Sequence, residues 1–268
     1  MENLPESISV EDLENYLKAA LSFADSINET VNSVISTGFD IEEKPDQSLV
    51  TTADKEAERV FRELISEQFP EMGVIGEEFP AHNEDADFVW VVDPIDGTAE
   101  FARLMPTYGS IVALEYKGEP IVAVMDHPAL NARFWAAKGQ GAYINGKKIS
   151  STDCSNLKTA RLAIAARENF TRTGDEGNLF EALTKEFPNC RVFHSCYSHA
   201  CAVSGAVDVG VDWNVKYWDL AATKLLVEES GGTYELLRDE VVEDRGQIYC
   251  AVFGKPQAVE KVKETLKL

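Results

Sequence analysis

Residues 91–101 read VVDPIDGTAEF, and two aspartates in this stretch lie directly behind an apolar run, residues 88–92. Such a run is typical of a buried strand. A lone carboxylate is costly to remove from water, so Asp93 and Asp96 at this point need a partner. Pro94 lacks the N–H that a central ladder requires, which predicts that the strand ends at Asp93. A turn through Pro94 would then place both carboxylates on one side.

The residues after Asp96 suggest what that partner is. Gly97 permits an unusual backbone angle or the close approach of a ligand. Thr98 offers a hydroxyl and an N–H where a helix would begin, a favourable place for an anion. Carboxylates together with carbonyls suit Mg²⁺, which accepts phosphate oxygens as further ligands. On this motif alone, an Asx-type turn with surface aspartates remains an alternative.

Two further acidic stretches follow the ends of predicted elements. Glu77 and Glu78 come just after the short apolar run at 74–75, and Asp219 follows Trp218 at a predicted helix start. At a helix start an acid also serves as a first-turn residue that favours the helix dipole. Acids at three element ends are nevertheless what is expected where the edge of a sheet lines an active site.

Composition and charge restrict the class of protein. The chain has 268 residues, 44% of them hydrophobic, and a formal net charge of −21. This acidity argues against nucleic acid or an anionic membrane as partner, because such surfaces are bound with Lys and Arg. The five cysteines contain no CxxC pair, which predicts neither a zinc site nor a disulfide framework and favours the reducing cytoplasm. No 18-residue apolar run and no signal peptide are found, so no membrane span is expected.

Helical and strand patterns alternate along the whole chain. A capping box at Ser9 begins a predicted helix that Gly38 ends, and a second helix is predicted from about Thr52 to Phe69. Strand-like runs fill 74–149, with a tight hairpin at Asn145-Gly146. Helices at 200–206, 218–230 and 256–266 and a strand at 248–253 follow. The pattern predicts a layered α/β or α+β protein: one domain over 1–268, formed by two closely packed α/β halves that meet near residue 150.

Several motifs, in this order, resemble the inositol monophosphatase family of metal-dependent phosphatases. They are LVTTAD (49–54), GEE (76–78), DPIDGT (93–98), GAYINGKKIS (141–150), WDLAA (218–222) and EESGG (228–232). The resemblance covers almost the whole chain. It implies a five-layer α/β/α/β/α sandwich, usually assembled as a homodimer.

The resemblance also implies a role for each matching residue. Glu77, Asp93, Asp96 and the carbonyl of Ile95 would be metal ligands, and Asp219 would bind a second metal and the substrate. Asp54 and Thr98, with Glu77, would position the attacking water, and the amides of Gly97 and Thr98 would hold phosphate. Asp212 stands where a substrate-binding glutamate is usual. Lys44 lies roughly at the place of a mobile-loop lysine.

The implied reaction is Mg²⁺-dependent hydrolysis of a small polar phosphomonoester. Bound Mg²⁺ would reverse the negative charge of the acidic site and so admit an anionic substrate. The competing interpretations are a non-catalytic, acidic metal-binding scaffold and a nucleotide-binding regulator. The intact acidic set argues against the first, and the lack of a Gly-Lys phosphate loop against the second.

The departures from the family pattern concern substrate contacts. Glu100 replaces a common asparagine, HSCYSHA (194–200) replaces a Gly-Ser/Thr-Ala-type stretch, and Asp212 is one methylene shorter than glutamate. Cys196-Tyr197 and MDHPAL (125–130) resemble the histidinol-phosphate phosphatase branch. Inositol phosphate and histidinol phosphate therefore both stay open as substrates.

Five other residues receive structural interpretations. His194 and His199 are interpreted as loop or surface histidines rather than metal ligands. Cys196 has no assignable histidine partner that would make it a nucleophile. Trp213 and Trp218 are expected to pack near the site.

Overall fold

The fold is described from a computed structural model that covers residues 5, 7–45, 47–151, 156–170, 177–242 and 246–267. Its helices are α1 (Val10–Thr37), α2 (Thr52–Gln68), α3 (Thr98–Phe101), α4 (Gly177–Glu186), α5 (Tyr197–Val203), α6 (Tyr217–Leu220), α7 (Thr223–Glu229) and α8 (Pro256–Leu266). Its strands are β1 (Ile41–Glu43), β2 (Leu49–Thr51), β3 (Gly73–Gly76), β4 (Phe88–Asp96), β5 (Gly109–Tyr116), β6 (Glu119–His127), β7 (Ala132–Ala137), β8 (Gly141–Ile144), β9 (Lys147–Lys148), β10 (Arg161–Ile164), β11 (Asn189–Val192), β12 (Val209–Val215), β13 (Thr233–Val242) and β14 (Gly246–Gly254).

Both long N-terminal helices begin with reciprocal side-chain caps. Ser9 and Asp12 form the predicted capping box of α1. Thr51 and Asp54 form another at α2, so the Asp54 carboxylate accepts the Thr51 N–H at 2.8 Å. These bonds satisfy backbone donors that a helix start otherwise leaves without partners. The cap therefore holds Asp54 in place independently of its other contacts.

The first large sheet has seven strands in the order β3-β4-β5-β6-β7-β8-β9. The β3–β4 pair is parallel and the other pairs are antiparallel. Because side chains alternate along a strand, β4 contributes to two cores. Trp90 and Val92 pack against α1 and α2, whereas Val89 and Val91 face the middle of the molecule.

The second large sheet has the strand order β11-β10-β12-β14-β13. Helices α5 and α7 lie between the two sheets, since their apolar residues share one core with residues of β4, β5, β6 and β14. Helices α4 and α8 pack on the outer face of the second sheet, where Leu183 and Val259 join the core with Trp213. The layers are thus α1/α2, sheet, α5/α7, sheet and α4/α8. The predicted five-layer α/β/α/β/α fold is confirmed.

Three details differ from the sequence prediction. The helix predicted at 200–206 is α5, which begins at Tyr197 and ends at Val203. Strand β4 does not stop at Asp93 but continues through Pro94 to Asp96. Strand β3 pairs with β4 as far as Val92, so Pro94 lies in an edge segment that tolerates a missing N–H. The predicted helix at 218–230 consists of two short helices, α6 and α7. Within the described ranges, no helix has the length and apolar character needed to cross a membrane.

Candidate active site

A β-bulge at the end of β4 brings the two aspartates of DPIDGT together. The register with β5 pairs Asp93 with Ile111 and Asp96 with Gly109, and it shifts between these pairs. A bulge changes the alternation of side chains, so residues three apart reach one side. A bulge, rather than the predicted turn, thus brings the two carboxylates to one side. The hydroxyl of Ser110 donates to the carbonyl of Pro94 at 2.7 Å and holds the irregular segment.

Asp219 joins this pair from the C-terminal half. It lies in the first turn of α6, where its carboxylate accepts the Lys216 N–H at 2.8 Å. One carboxylate oxygen from each of Asp93, Asp96 and Asp219 lies within 4.8 Å of the others. The backbone orients the other two as well, since Asp93 accepts the Ile95 N–H at 3.0 Å and Asp96 accepts the Cys196 N–H.

Burial and mutual repulsion change the acidity of the cluster. Burial raises the pKa of Asp93 well above its usual value, and the charges of Glu77 and Asp96 raise it further. Burial is also the first cause that raises the pKa of Asp219 well above normal and that of Asp96 to about 6. Three oxygen donors that repel one another in a buried place suit a hard divalent cation. The donor set therefore fits Mg²⁺.

The cluster forms part of the wall of a cavity of about 480 Å³. The predicted residues Glu77, Ile95, Gly97 and Thr98 line the same cavity. Gly97 has a φ of +88°, and a Cβ there would come within 2.8 Å of the Ser195 Cβ. Glycine is therefore required at this position for both conformation and space.

Asp54 reaches the cavity wall through Thr98. The Thr98 hydroxyl lies 2.9 Å from Asp54 Oδ1 and 3.2 Å from the carbonyl oxygen of Ile95. Asp54 is 1% exposed and Thr98 9% exposed, so this contact is shielded from water. The capping box of α2 holds the opposite oxygen of Asp54. The Thr98 hydroxyl is consequently held in a fixed position.

Glu77 lines the cavity, and its carboxylate forms an ion pair with Lys44. Lys44 Nζ lies 2.7 Å from Glu77 Oε1 and 2.8 Å from Glu78 Oε1. Burial and the neighbouring Glu77 charge raise the pKa of Glu78 to about 7. Lys44 and Glu78 are thus structural neighbours of the metal-ligand set, and the GEE motif was the sequence signal for Glu78.

Asp212 was predicted to bind substrate, but it is not among the residues that line the cavity. It is 3% exposed, and its oxygens accept the Trp213 N–H at 2.9 Å and contact His199 Nε2 at 2.8 Å. The other ring nitrogen of His199 lies 2.8 Å from the Thr223 hydroxyl. The interpretation of His199 as a loop or surface histidine is therefore wrong, because α5 buries it completely. The shorter aspartate is drawn away from the cavity by this pair.

The remaining residues singled out in the sequence have separate positions. His194 is half-exposed and its Nδ1 lies 3.8 Å from Glu100 Oε1, and Trp218 lines the cavity. Trp213 stacks on Phe170 in the outer core instead. Cys196 does have a histidine neighbour, since its Sγ lies 3.9 Å from His127 Nε2. Burial raises the pKa of this thiol well above its usual value, which opposes nucleophilic chemistry.

Sequence reasoning missed five polar residues that line the cavity: Gln47, Ser48, Asn169, Asn214 and Lys216. Asn214 Nδ2 donates to the Asn169 carbonyl at 2.7 Å, which joins β12 to the loop before α4. Lys216 precedes the WDLAA motif by two residues, and that closeness was the available signal. Nothing in the sequence pattern connects residue 169 with the site.

The raised pKa values predict how the metal-free protein responds to pH. A carboxyl group with a raised pKa binds its proton more tightly in the folded state, so the stability it contributes is lost as pH rises. With chelator, we expect the melting temperature to fall by roughly 5 °C or more between pH 5.5 and pH 8. Saturating Mg²⁺ at pH 8 should recover most of this loss.

Thermal unfolding at both pH values, with chelator and with Mg²⁺, measures this effect. Asp93→Asn removes one of the repelling charges and should flatten the dependence on pH. A melting temperature that rises from pH 5.5 to pH 8 in chelator would contradict the assignment of the raised pKa values.

Comparison with known proteins agrees with this geometry. The profile of the inositol monophosphatase family matches residues 12–266. The histidinol-phosphatase of Mycobacterium tuberculosis is 35% identical over 222 residues, which are 81% of this chain and 85% of that protein. The chloroplastic bifunctional phosphatase IMPL2 of Arabidopsis thaliana is 32% identical over 233 residues, which are 85% of this chain and 66% of that protein.

A solved structure gives the same result for the fold. The inositol monophosphatase of Anabaena (Nostoc) superposes with a TM-score of 0.80 at 25% identity and covers 96% of each chain. The match extends through both sheets and the five helical and sheet layers. The chain therefore belongs to the inositol monophosphatase family, and it is a metal-dependent hydrolase of phosphomonoesters.

Proposed function

We propose that Asp93, Asp96, Asp219 and the Ile95 carbonyl hold Mg²⁺ for the hydrolysis of a small polar phosphomonoester. The observation that carries this proposal is the convergence of three carboxylates, one buried and two half-buried, with oxygens within 4.8 Å of one another on the wall of one cavity. In the described part of the chain, Lys44 and Lys216 are the cationic side chains that line this cavity. Lys44 is already engaged by two glutamates. A divalent cation balances the remaining charge.

The bound metal supplies an activated water and neutralises charge on the phosphate and the leaving oxygen. The residues of the chain hold the reacting groups in position. Thr98, oriented by Asp54, holds the attacking water, and Glu77 completes this group. The N–H groups of Gly97 and Thr98 hold the phosphate oxygens at the start of α3. Asp219 serves both the metal and the leaving-group side. Little covalent work is asked of the protein in such a transfer.

Inositol phosphate and histidinol phosphate are the two substrate candidates that the family offers. Histidinol phosphate is favoured by one structural observation. Asp212, at the position of the hydroxyl-binding glutamate, is buried against His199 and does not line the cavity. The Mycobacterium tuberculosis relative, named a histidinol-phosphatase, is consistent with this choice. A non-catalytic scaffold gains no comparable support, because the carboxylates and the Thr98 hydroxyl are all in place.

The further proposals concern assembly and location. We propose a homodimer in the cytoplasm, with no nucleic acid or membrane as partner. The net charge of −21 is consistent with the absence of such anionic partners. Light scattering coupled to size-exclusion chromatography tests the dimer, since a mass of one 29.6 kDa chain would contradict it.

A substrate panel tests the reaction itself. Phosphate release should be measured on histidinol phosphate, inositol 1-phosphate and a nucleotide monophosphate, each with Mg²⁺ and with chelator. We expect chelator-sensitive release that is fastest on histidinol phosphate. The absence of chelator-sensitive release from every compound would favour the scaffold. Preference for inositol 1-phosphate would overturn the choice of substrate but not the reaction.

A further inference from the structure

Two departures from the family pattern that are distant in sequence meet at one wall of the cavity. Gly97 and Thr98, whose N–H groups are proposed to hold the phosphate, are called the phosphate cradle. Glu100 lies in α3, two residues after Thr98, and His194 precedes α5 by three residues. His194 Nδ1 lies 3.8 Å from Glu100 Oε1. The Glu100 side chain is 12% exposed, whereas His194 is 43% exposed. Glu100 thus lines the cavity, and His194 contacts it from a more exposed position.

The carboxylate of Glu100 is close to the place where phosphate would be held. A Cβ built on Gly97 would lie 3.3 Å from Glu100 Oε2. This places the charge beside the start of α3, whose N–H groups are proposed to hold the phosphate. A carboxylate so near a phosphate dianion opposes substrate binding unless a positive charge lies between or beside them.

Other charges of the cavity do not remove this repulsion. A metal bound here would be balanced by Asp93, Asp96 and Asp219. Lys44 contacts Glu77 and Glu78, and Lys216 Nζ lies 3.4 Å from the carbonyl oxygen of Gln247. The His194 nitrogen, at 3.8 Å, is too far for a hydrogen bond to Glu100. Asp212 is withdrawn and Glu77 is paired with Lys44, so among the described lining residues Glu100 is the carboxylate that is neither a proposed metal ligand nor paired with a lysine. The substrate itself can bring the missing positive charge.

We propose that Glu100 is a specificity-determining residue that binds a protonated amine on the alcohol part of the substrate. An amine on the carbon next to the phosphate-bearing carbon lies close to the phosphate, as the separation of Glu100 from the cradle requires. Amino-alcohol phosphates fit this description, and uncharged polyol phosphates do not. The inference rests on the proposed function, because it places the phosphate at Gly97 and Thr98.

A pair of substrates that differ in one charge tests the proposal. Histidinol phosphate carries the ammonium group, and its N-acetylated form lacks it. We expect the unaltered chain to show a kcat/KM about 10 to 100 times higher for the amine, since a site built for a charged donor discriminates against its absence. In Glu100→Gln, the ratio of the two kcat/KM values should fall toward one. Glu100→Asn should act in the same direction.

Glu84→Gln is the matched control, because Glu84 is exposed and remote from the cavity lining. It should leave the ratio unchanged. An unaltered ratio in Glu100→Gln would overturn the inference and leave the proposed function intact. An equal loss on both substrates, with a higher Mg²⁺ requirement, would instead make Glu100 a metal ligand and also overturn the inference. If the unaltered chain hydrolysed neither compound with Mg²⁺, the proposed function would fail as well.

Discussion

Asp96→Asn is expected to lower kcat/KM for Mg²⁺-dependent phosphate release by about 10³-fold or more. A metal ion contributes several kcal/mol of transition-state stabilisation, and about 4 kcal/mol corresponds to three powers of ten. Asparagine keeps the shape of the side chain and an oxygen that accepts the Cys196 N–H, but it removes one of the charges proposed to hold the metal. Asp219→Asn should have a comparable effect.

Two measurements separate this explanation from misfolding. Metal-free Asp96→Asn should melt at a higher temperature than the unaltered chain at pH 8, because one repelling carboxylate is gone. Binding of Mg²⁺, followed by calorimetry, should weaken at the same time. Asp87→Asn is the matched control, since its exposed side chain lies in a surface ion pair with Lys117. Turnover close to that of the unaltered chain in both Asp96→Asn and Asp219→Asn would rule out the metal assignment.

Thr98→Ala is expected to reduce kcat by about 10²-fold, a loss typical of removing one positioning group in an active site. The Thr98 hydroxyl is fixed at 2.9 Å from Asp54, and Thr98 lines the cavity together with Asp93, Asp96 and Asp219. Alanine removes that hydroxyl while it leaves the three carboxylates in place. The affinity for Mg²⁺ should therefore change little, in contrast to Asp96→Asn.

Thr98→Ser provides the rescue, because serine restores the hydroxyl with a smaller side chain. We expect it to recover most of the lost kcat. Steady-state kinetics over a range of Mg²⁺ concentrations distinguishes the two cases. If alanine raised the Mg²⁺ requirement without changing kcat at saturation, Thr98 would support the metal site rather than the attacking water.

Different features of the sequence predicted the helices, the layers and the acidic cluster. Apolar periodicity and caps such as Ser9-Asp12 are local, and they place α1 and α2 where the structure has them. The layers were implied by the family resemblance, and the clustered aspartates were accessible through motifs at element ends. The bulge that joins Asp93 to Asp96 was missed because its cause is the strand pairing on either side of Pro94, which no local pattern records.

The surroundings of Glu100 and His199 were harder to predict from the sequence. The burial of His199 results from its contacts with Thr223 and Asp212, which lie on two other elements. Glu100 and His194 are 94 positions apart in the numbering and meet through the packing of α3 against the segment before α5. A single sequence identifies these residues as unusual one at a time. Their pairing depends on tertiary contacts.

Asp54 accepts a hydrogen bond on each of its two carboxylate oxygens, and this affects which substitutions the enzyme tolerates. One oxygen of its carboxylate closes the first turn of α2, and the other contacts the Thr98 hydroxyl. Thr51, which is not among the residues that line the cavity, is thereby connected to the Thr98 hydroxyl by two hydrogen bonds in series. Selection that acts on turnover also acts on the start of a helix. The hydrolytic apparatus is therefore larger than the set of residues that a substrate could ever contact.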